Sequence, residues 1–149
     1  MDSGIPEIEI RSLTAEETVP LRWVILRTGL PRETAVFPGD EAATSRHFGA
    51  LIEGRLVGVA TIHLAPMPGG SESYQVRGMA TVEEVRGIGA GSALLAACAA
   101  EARREGARRL WCNARTPAAG FYEKHGFARL GEAFEIPTAG PHFLMARSL

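Results

Sequence analysis

A chain of 149 residues, 46% apolar and 22% charged, has the composition of one globular domain with one core; it is not that of a disordered chain and leaves little room for two independent domains. Sixteen basic and seventeen acidic side chains give a formal net charge of −1, so no global field favours nucleic acid or an anionic membrane. Cys98 and Cys112 show neither CxxC spacing nor a histidine cluster, which argues against a disulfide framework or a structural zinc site and makes a reducing cytoplasm the expected compartment. The longest weakly polar run, Ile88 to Ala100, covers 13 residues, mostly alanine and glycine, and falls short of the roughly 18 that span a bilayer. The Met1-Asp2-Ser3-Gly4 start lacks the basic head and apolar core of a secretory signal.

In chain order, Ile8 to Arg11 alternates as a short first strand. Thr14-Ala15-Glu16-Glu17 has the form of a capping box, and the helix it opens carries Val19, Leu21, Trp23, Val24, Leu26 and Leu30 as its expected core stripe. That helix is expected to end around Gly29 and Pro31, with Pro20 delaying or kinking its regular part. Residues 31–45 have no clean period and read as a loop or broken helix with freedom to move. Two apolar runs, His47 to Ile52 and Arg55 to Ile62, flank Glu53-Gly54 and predict an antiparallel hairpin. Pro66 to Gly70 is a turn, and a third strand of the sheet follows over about Ser73 to Val82.

The strongest helix follows Gly87 to Gly91, with Leu94, Leu95, Cys98 and Ala102 facing inward and Glu101, Arg103, Arg104 and Glu105 facing water. Leu110 to Ala114 is an apolar strand, and Pro117 to Lys124 a short helix that stops at Gly126. Two closing strands, Phe127 to Glu135 and His142 to Arg147, bracket the Pro137 to Pro141 turn. The order is strand, helix, three strands, helix, strand, helix and two strands. It predicts an α+β (mixed α/β) domain with a largely antiparallel sheet, without regular doubly wound alternation.

The chemistry centres on Arg86-Gly87-Ile88-Gly89-Ala90-Gly91, between a strand and the long helix. Small residues let backbone approach a ligand, and helix N-terminal amides suit phosphate oxygens. Spacing alone leaves two readings, a ligand-free turn or an anion loop. The glycines recur every second residue, which does not fit the dinucleotide fingerprint, and no Lys-Ser or Lys-Thr follows as in a P-loop. A second cluster, Asn113 to Phe127, holds Asn113, the Phe121-Tyr122 pair and Gly126-Phe127. By itself it reads as a capping Asn and aromatic side chains docking a short helix. Cys112 and Cys98 read as core residues. The Arg103, Arg104, Arg108 and Arg109 run reads as a solvated face complementing a helix C-terminus.

Together these segments resemble the GNAT superfamily of acyl-CoA-dependent N-acetyltransferases. Arg86, Gly89 and Gly91 match its Q/R-x-x-G-x-G/A pattern, Gly78 to Val82 is similar to its cofactor-binding strand, and Asn113 to Phe127 is similar to its N-x-x-A-x-x-F-Y-x-x-x-G-F region. The resemblance covers nearly the whole chain and implies one GNAT-like domain over 1–149, a central sheet flanked by helices. It implies acetyl-CoA as cosubstrate, with no metal. Backbone around Met79, Ala80 and Thr81 would pair with pantetheine, and amides from Arg86 through Gly87, Ile88, Gly89, Ala90, Gly91 and Ser92 would receive the pyrophosphate. Asn113 would lie near the pantetheine arm, Phe121 would pack beside it, and Tyr122 would protonate the departing sulfur. A strand amide at Met79 or Thr81 would stabilise charge on the carbonyl oxygen.

The implied reaction is direct transfer to a primary amine, in a small molecule or a protein, with no nucleic-acid or membrane partner and with homodimer formation left open. A noncatalytic acyl-CoA-binding or sensing module is the alternative. His142, Glu135, Glu83 and His125 are the chemically suitable bases, His142 first because it opens the closing strand after Gly140-Pro141. Arg77, two residues before Met79, is a candidate to orient an acidic acceptor group or to make a rim salt bridge. Residues 20–45 and the Pro66 to Ser73 loop are the expected pocket walls.

Overall fold

The computed structural model describes residues 6–68 and 73–149, so part of the expected Pro66 to Gly70 turn lies outside the described residues. In chain order the elements are β1 (Glu9–Leu13), α1 (Ala15–Leu21), β2 (Arg46–Ile52), β3 (Arg55–Leu64), β4 (Tyr74–Thr81), α2 (Ala90–Arg104), β5 (Arg109–Arg115), α3 (Ala119–Lys124), β6 (Ala128–Arg129), β7 (Phe134–Ile136) and β8 (Gly140–Ser148). The sheet order is β1-β2-β3-β4-β5-β8-β6, with β7 also pairing to β8. Every pairing is antiparallel except β4 with β5. The expected mixed α/β architecture, largely antiparallel and flanked by helices, is therefore the observed one. The first closing strand divides into the short β6 and β7, which pair with different parts of β8.

Alternation along β3 sorts the two faces of the sheet. Ala60 and Ile62 join the cluster formed by Leu94, Leu95 and Cys98 of α2, with Tyr122 and Phe127 beyond it. The intervening Thr61 points the other way and accepts from Arg22, just beyond α1. Helices thus cover both faces.

The parallel pair is short. β4 and β5 are in register only at Tyr74 with Leu110 and Gln75 with Trp111. From Val76 and Cys112 onward the two strands have no partners in each other, and the sheet opens into a wedge.

The helix after Thr14 differs from expectation. The capping box is present, with Thr14 accepting from the Glu17 amide and the Glu17 carboxylate accepting from the Thr14 amide. Pro20 lies inside α1 and has no N–H to donate, and the next turn, Arg22–Leu26, is π-helical. The inward stripe is Ala15, Thr18, Val19 and Arg22, the spacing of a helix face with an arginine at its fourth position. Trp23 and Val24, expected in the core, are 38% and 66% exposed, and Leu30 is exposed too. An apolar count could not place Arg22, because its burial depends on a partner far along the chain.

That partner is Asp40. Arg22 is 0% exposed and its guanidinium meets both carboxylate oxygens, at 2.6 and 3.2 Å. It also donates to the Ala35 carbonyl at 3.1 Å and the Thr61 hydroxyl at 2.8 Å. The 31–45 segment, expected to be free to move, is instead tied down through Asp40, whose carboxylate also accepts from the Phe37 amide. Burial alone would raise the Asp40 carboxyl, but hydrogen bonds from Arg22 and the Phe37 amide and the charges of Arg22 and Arg77 hold it below its ordinary 3.8. A depressed folded value means stability that is present above the unfolded value and lost as pH falls through the folded one. Removing one member of such a pair leaves a buried charge unpaired, so Asp40→Asn is expected to lose about 3–5 kcal/mol in urea unfolding at neutral pH. The gap from the native protein should narrow as pH falls below the carboxylate range. Equal stability at neutral pH would contradict this role.

Candidate functional site

The wedge between β4 and β5 widens into a cavity of about 870 Å³. One wall is β4 from Gln75 to Thr81, the facing wall Asn113 to Arg115, and the remaining sides come from Ile25 to Arg27, Phe37, Tyr122 and His142. The expectation that residues 20–45 form a wall holds for Ile25, Leu26, Arg27, Phe37 and Pro38. None of the described residues of the Pro66 to Ser73 loop lines this cavity.

β4 carries a bulge at the site. Val59 faces Ala80 and Thr61 faces Arg77, so Ala60 opposes both Gly78 and Met79. Gly78 has φ +63°, and a Cβ there would stand 2.8 Å from Nε of Arg22 and 3.2 Å from the Phe37 ring. Beyond the bulge, the Val82 amide donates to the Val57 carbonyl of β3 at 2.9 Å. Backbone alternation then turns the Met79 and Thr81 amides to the opposite edge, into the wedge.

At the mouth stands the start of α2. Gly89 is its N-cap at φ +98°, and no side chain caps the helix. The first-turn amides of an α-helix have no intrahelical partner, so this end is a ready acceptor for an anion. Arg86 and Gly91 line the cavity, and Gly87 is exposed beside them. The Ile88 side chain packs on the core and Ala90 is buried, which leaves their backbone for any ligand. The Ser92 hydroxyl is within 3.0 Å of Nε2 of His125, and that contact engages both groups.

Tyr122 is buried in the core cluster by its ring, edge-on to Phe121 and Phe127 at 5.2 and 5.3 Å, yet it lines the cavity. Its hydroxyl has no hydrogen-bond partner among the described residues, and burial holds the phenol above its ordinary value, so it stays protonated. Phe121 lies against the first turn of α2 at Gly91 and lines the cavity with Asn113. His142 is buried in the same cavity, with its Nδ1 2.7 Å from the Gly140 carbonyl. A carbonyl only accepts, so Nδ1 carries the hydrogen, and it is Nε2 that bears the lone pair whenever the imidazole is neutral. Of the other suitable bases, Glu135 and Glu83 are exposed and His125 is engaged with Ser92; none lines the cavity. Burial pushes the Cys98 and Cys112 thiols up to about 12, which fits their expected packing role.

Arg77, read as either an acceptor contact or a rim salt bridge, pairs with Asp40 at 3.2 Å and donates to the Pro38 carbonyl. The bulge at Gly78 interrupts the strict alternation expected between it and Met79. Sequence reasoning missed Arg27, Phe37 and Arg115, which line the cavity together. The Arg22 and Arg27 guanidinium carbons lie over the Phe37 ring at 4.0 and 5.0 Å from its centroid. Among the described residues, no group of three or more His, Cys, Asp or Glu could hold a metal ion, and no helix is long and apolar enough to cross a membrane.

The acetyltransferase (GNAT) family pattern matches residues 10–127, spanning β1 through the turn after α3. The chain belongs to the GNAT family. This GNAT chain is 34% identical over 144 residues to the uncharacterized N-acetyltransferase YitI of Bacillus subtilis strain 168, covering 95% of this chain and 97% of that protein. Its fold is similar to that of Escherichia coli ElaA, with a TM-score of 0.78 and 21% identity over 95% of this chain and 99% of the other. It is also similar to an IAA acetyltransferase from Bacillus cereus, with a TM-score of 0.73 and 17% identity over 96% and 100% of the two chains. At these identities the two solved structures establish the shared GNAT fold.

The bulge is the most exacting point of this GNAT site. Gly78→Ala would force a Cβ into the left-handed region, costing about 1–2 kcal/mol before any clash with Arg22 is counted. The variant is expected to melt lower and to displace Phe37 from the cavity wall, read by thermal unfolding and by chemical-shift changes at Phe37. Unchanged melting would contradict the tight approach of Arg22 to this backbone.

Proposed function

We propose that this chain is an acyl-CoA-dependent N-acetyltransferase that moves an acetyl group from acetyl-CoA to a primary amine by direct attack. The observation that carries the reading is a single cavity bounded by an unpaired strand edge at Met79 to Thr81, an uncapped helix start at Gly89 to Gly91, a protonated phenol and a histidine with a free Nε2. Acetyl-CoA supplies an activated thioester, a long polar arm and a pyrophosphate, and each has a fitting surface here. Met79 and Thr81 amides suit the arm as an added strand would. The amides opening α2, with Arg86 beside them, suit the phosphates. Asn113 stands exposed on the facing strand, within reach of the arm's polar groups.

The residues then divide the proton work. His142 Nε2 takes the proton from the acceptor ammonium, and the free amine attacks the thioester carbonyl. The β4 amide at Met79 or Thr81 faces the charge that develops on that oxygen. Tyr122 gives its proton to the departing sulfur as the carbon–sulfur bond breaks. The high thiol values of Cys98 and Cys112 favour direct transfer over a covalent thioester on the chain. We further propose the reducing cytoplasm as its compartment, since both cysteines are free thiols.

Tyr122→Phe keeps the ring packing and removes the donor. Single-turnover acetyl transfer is expected to fall about 10²-fold, or about 2.7 kcal/mol, with acetyl-CoA affinity and melting temperature retained. Full single-turnover activity in the folded variant would remove Tyr122 from the mechanism.

A further inference from the structure

The cavity holds more positive charge than the protein neutralises. Arg27, Arg77 and Arg115 line it, and Arg22 stands behind Gly78. Asp40 already serves both Arg22 and Arg77. Among the described residues, neither Arg27 nor Arg115 has a carboxylate within 4.0 Å. Both donate instead to the same atom: the Leu26 carbonyl accepts from Nη1 of Arg27 and from Nη2 of Arg115, each at 3.2 Å. Arg27 Nε is directed to the Thr34 carbonyl at 3.3 Å. A guanidinium has five N–H groups, so Nη2 of Arg27 and Nε and Nη1 of Arg115 remain available. Two cations thus converge on one uncharged oxygen in a partly desolvated site. Burial, followed by the charges of Arg115 and Arg22, holds the Arg27 guanidinium below its ordinary value, a sign of the same crowding. A counter-anion relieves that repulsion, and paired guanidinium groups suit an oxyanion.

The location says what the anion is attached to. Arg115 and His142 are direct cross-strand partners. Such residues hold their Cβ atoms about 4.5–5.5 Å apart on one face of the sheet. An anion held by Arg115 is therefore a short distance from a nitrogen held at His142. The cosubstrate phosphates are assigned above to Arg86 and the start of α2, which packs on the other face of the sheet from the Arg22–Arg27 segment.

We infer that the acceptor is an amine carrying a nearby oxyanion, a carboxylate or a phosphate, held between Arg27 and Arg115 with its nitrogen at His142. The inference rests on the acetyltransferase reading above and narrows its substrate class. Simple alkylamines and polyamines lack the group these arginines require, and a second positive charge would be repelled.

The test is calorimetric titration of the CoA-saturated protein with malonate, with inorganic phosphate and with uncharged malonamide. Saturation with CoA removes the phosphate sites at α2 from competition. At least one anion is expected to bind at a single site and malonamide not to bind. Arg115→Gln and Arg27→Gln should each weaken the anion about tenfold or more, the scale of one charged contact, with CoA uptake serving as the fold control. Arg115→Lys, which keeps the charge, should restore part of the affinity. Tighter malonate assigns a carboxylate, and tighter phosphate a phosphate ester. No binding of either anion, or binding that survives both glutamine variants, overturns the inference while leaving the acetyltransferase reading intact. Failure of the native protein to take up CoA would overturn that reading, and the acceptor inference with it.

Discussion

Two parallel strands that stay together for only one turn of their pleat create the site. β4 and β5 share register at Tyr74 and Gln75 and then diverge. An open sheet edge exposes backbone donors and acceptors that require partners. Here the exposed edge faces a cavity, and the next segment of chain brings the start of α2 to the same opening. A strand edge and a helix terminus, two sources of unsatisfied backbone groups, consequently point into one space. In the proposed reaction, side chains serve there mainly for proton transfer and for choosing the acceptor; they come from β5, β8 and α3 and, at Arg27, from the end of the π-helical turn after α1.

The opening is kept in shape from behind. The extra residue at Gly78 brings β4 backbone close to Arg22, whose guanidinium is fixed by Asp40, Ala35 and Thr61. Phe37 rests against that guanidinium and forms part of the cavity wall. One buried ion pair therefore joins the π-helical turn after α1, the 31–45 segment and the middle of the sheet. Desolvating two charges gains little over an apolar pair of the same volume. What it provides here is position: the cavity wall at Phe37 is tied to the bulged strand at Gly78.

Much of this could be read from residues alone, and for definable reasons. Helix α2 follows from its apolar stripe, the β2–β3 hairpin from Glu53-Gly54 between two apolar runs, and the tight glycine turn that opens α2 from glycines placed at a strand-to-helix junction. Those are local patterns, set by periodicity and backbone freedom. Arg22 was illegible because a charged residue at a core position is stabilised only by Asp40, 18 residues on. The same displacement sends Trp23 and Val24 outward, where an apolar count had placed them in the core. Arg27 and Arg115 belong to distant segments brought together by the Leu26 carbonyl, and no spacing rule links them. Among four chemically suitable bases His142 is favoured in sequence only by its place at the start of the closing strand; the fold brings it, and none of the others, to the cavity.

In the proposed reaction the diverging edge of β4 and the start of α2 bind acetyl-CoA together. Amide hydrogen exchange with and without acetyl-CoA tests it at the backbone itself. In the free protein the Met79 and Thr81 amides should exchange rapidly while Val82, bonded to β3, stays protected. On adding acetyl-CoA, Met79, Thr81 and the amides from Gly89 to Gly91 should slow together, with little change in the β2–β3 hairpin. Saturable acetyl-CoA binding that left those amides unprotected would contradict the claim.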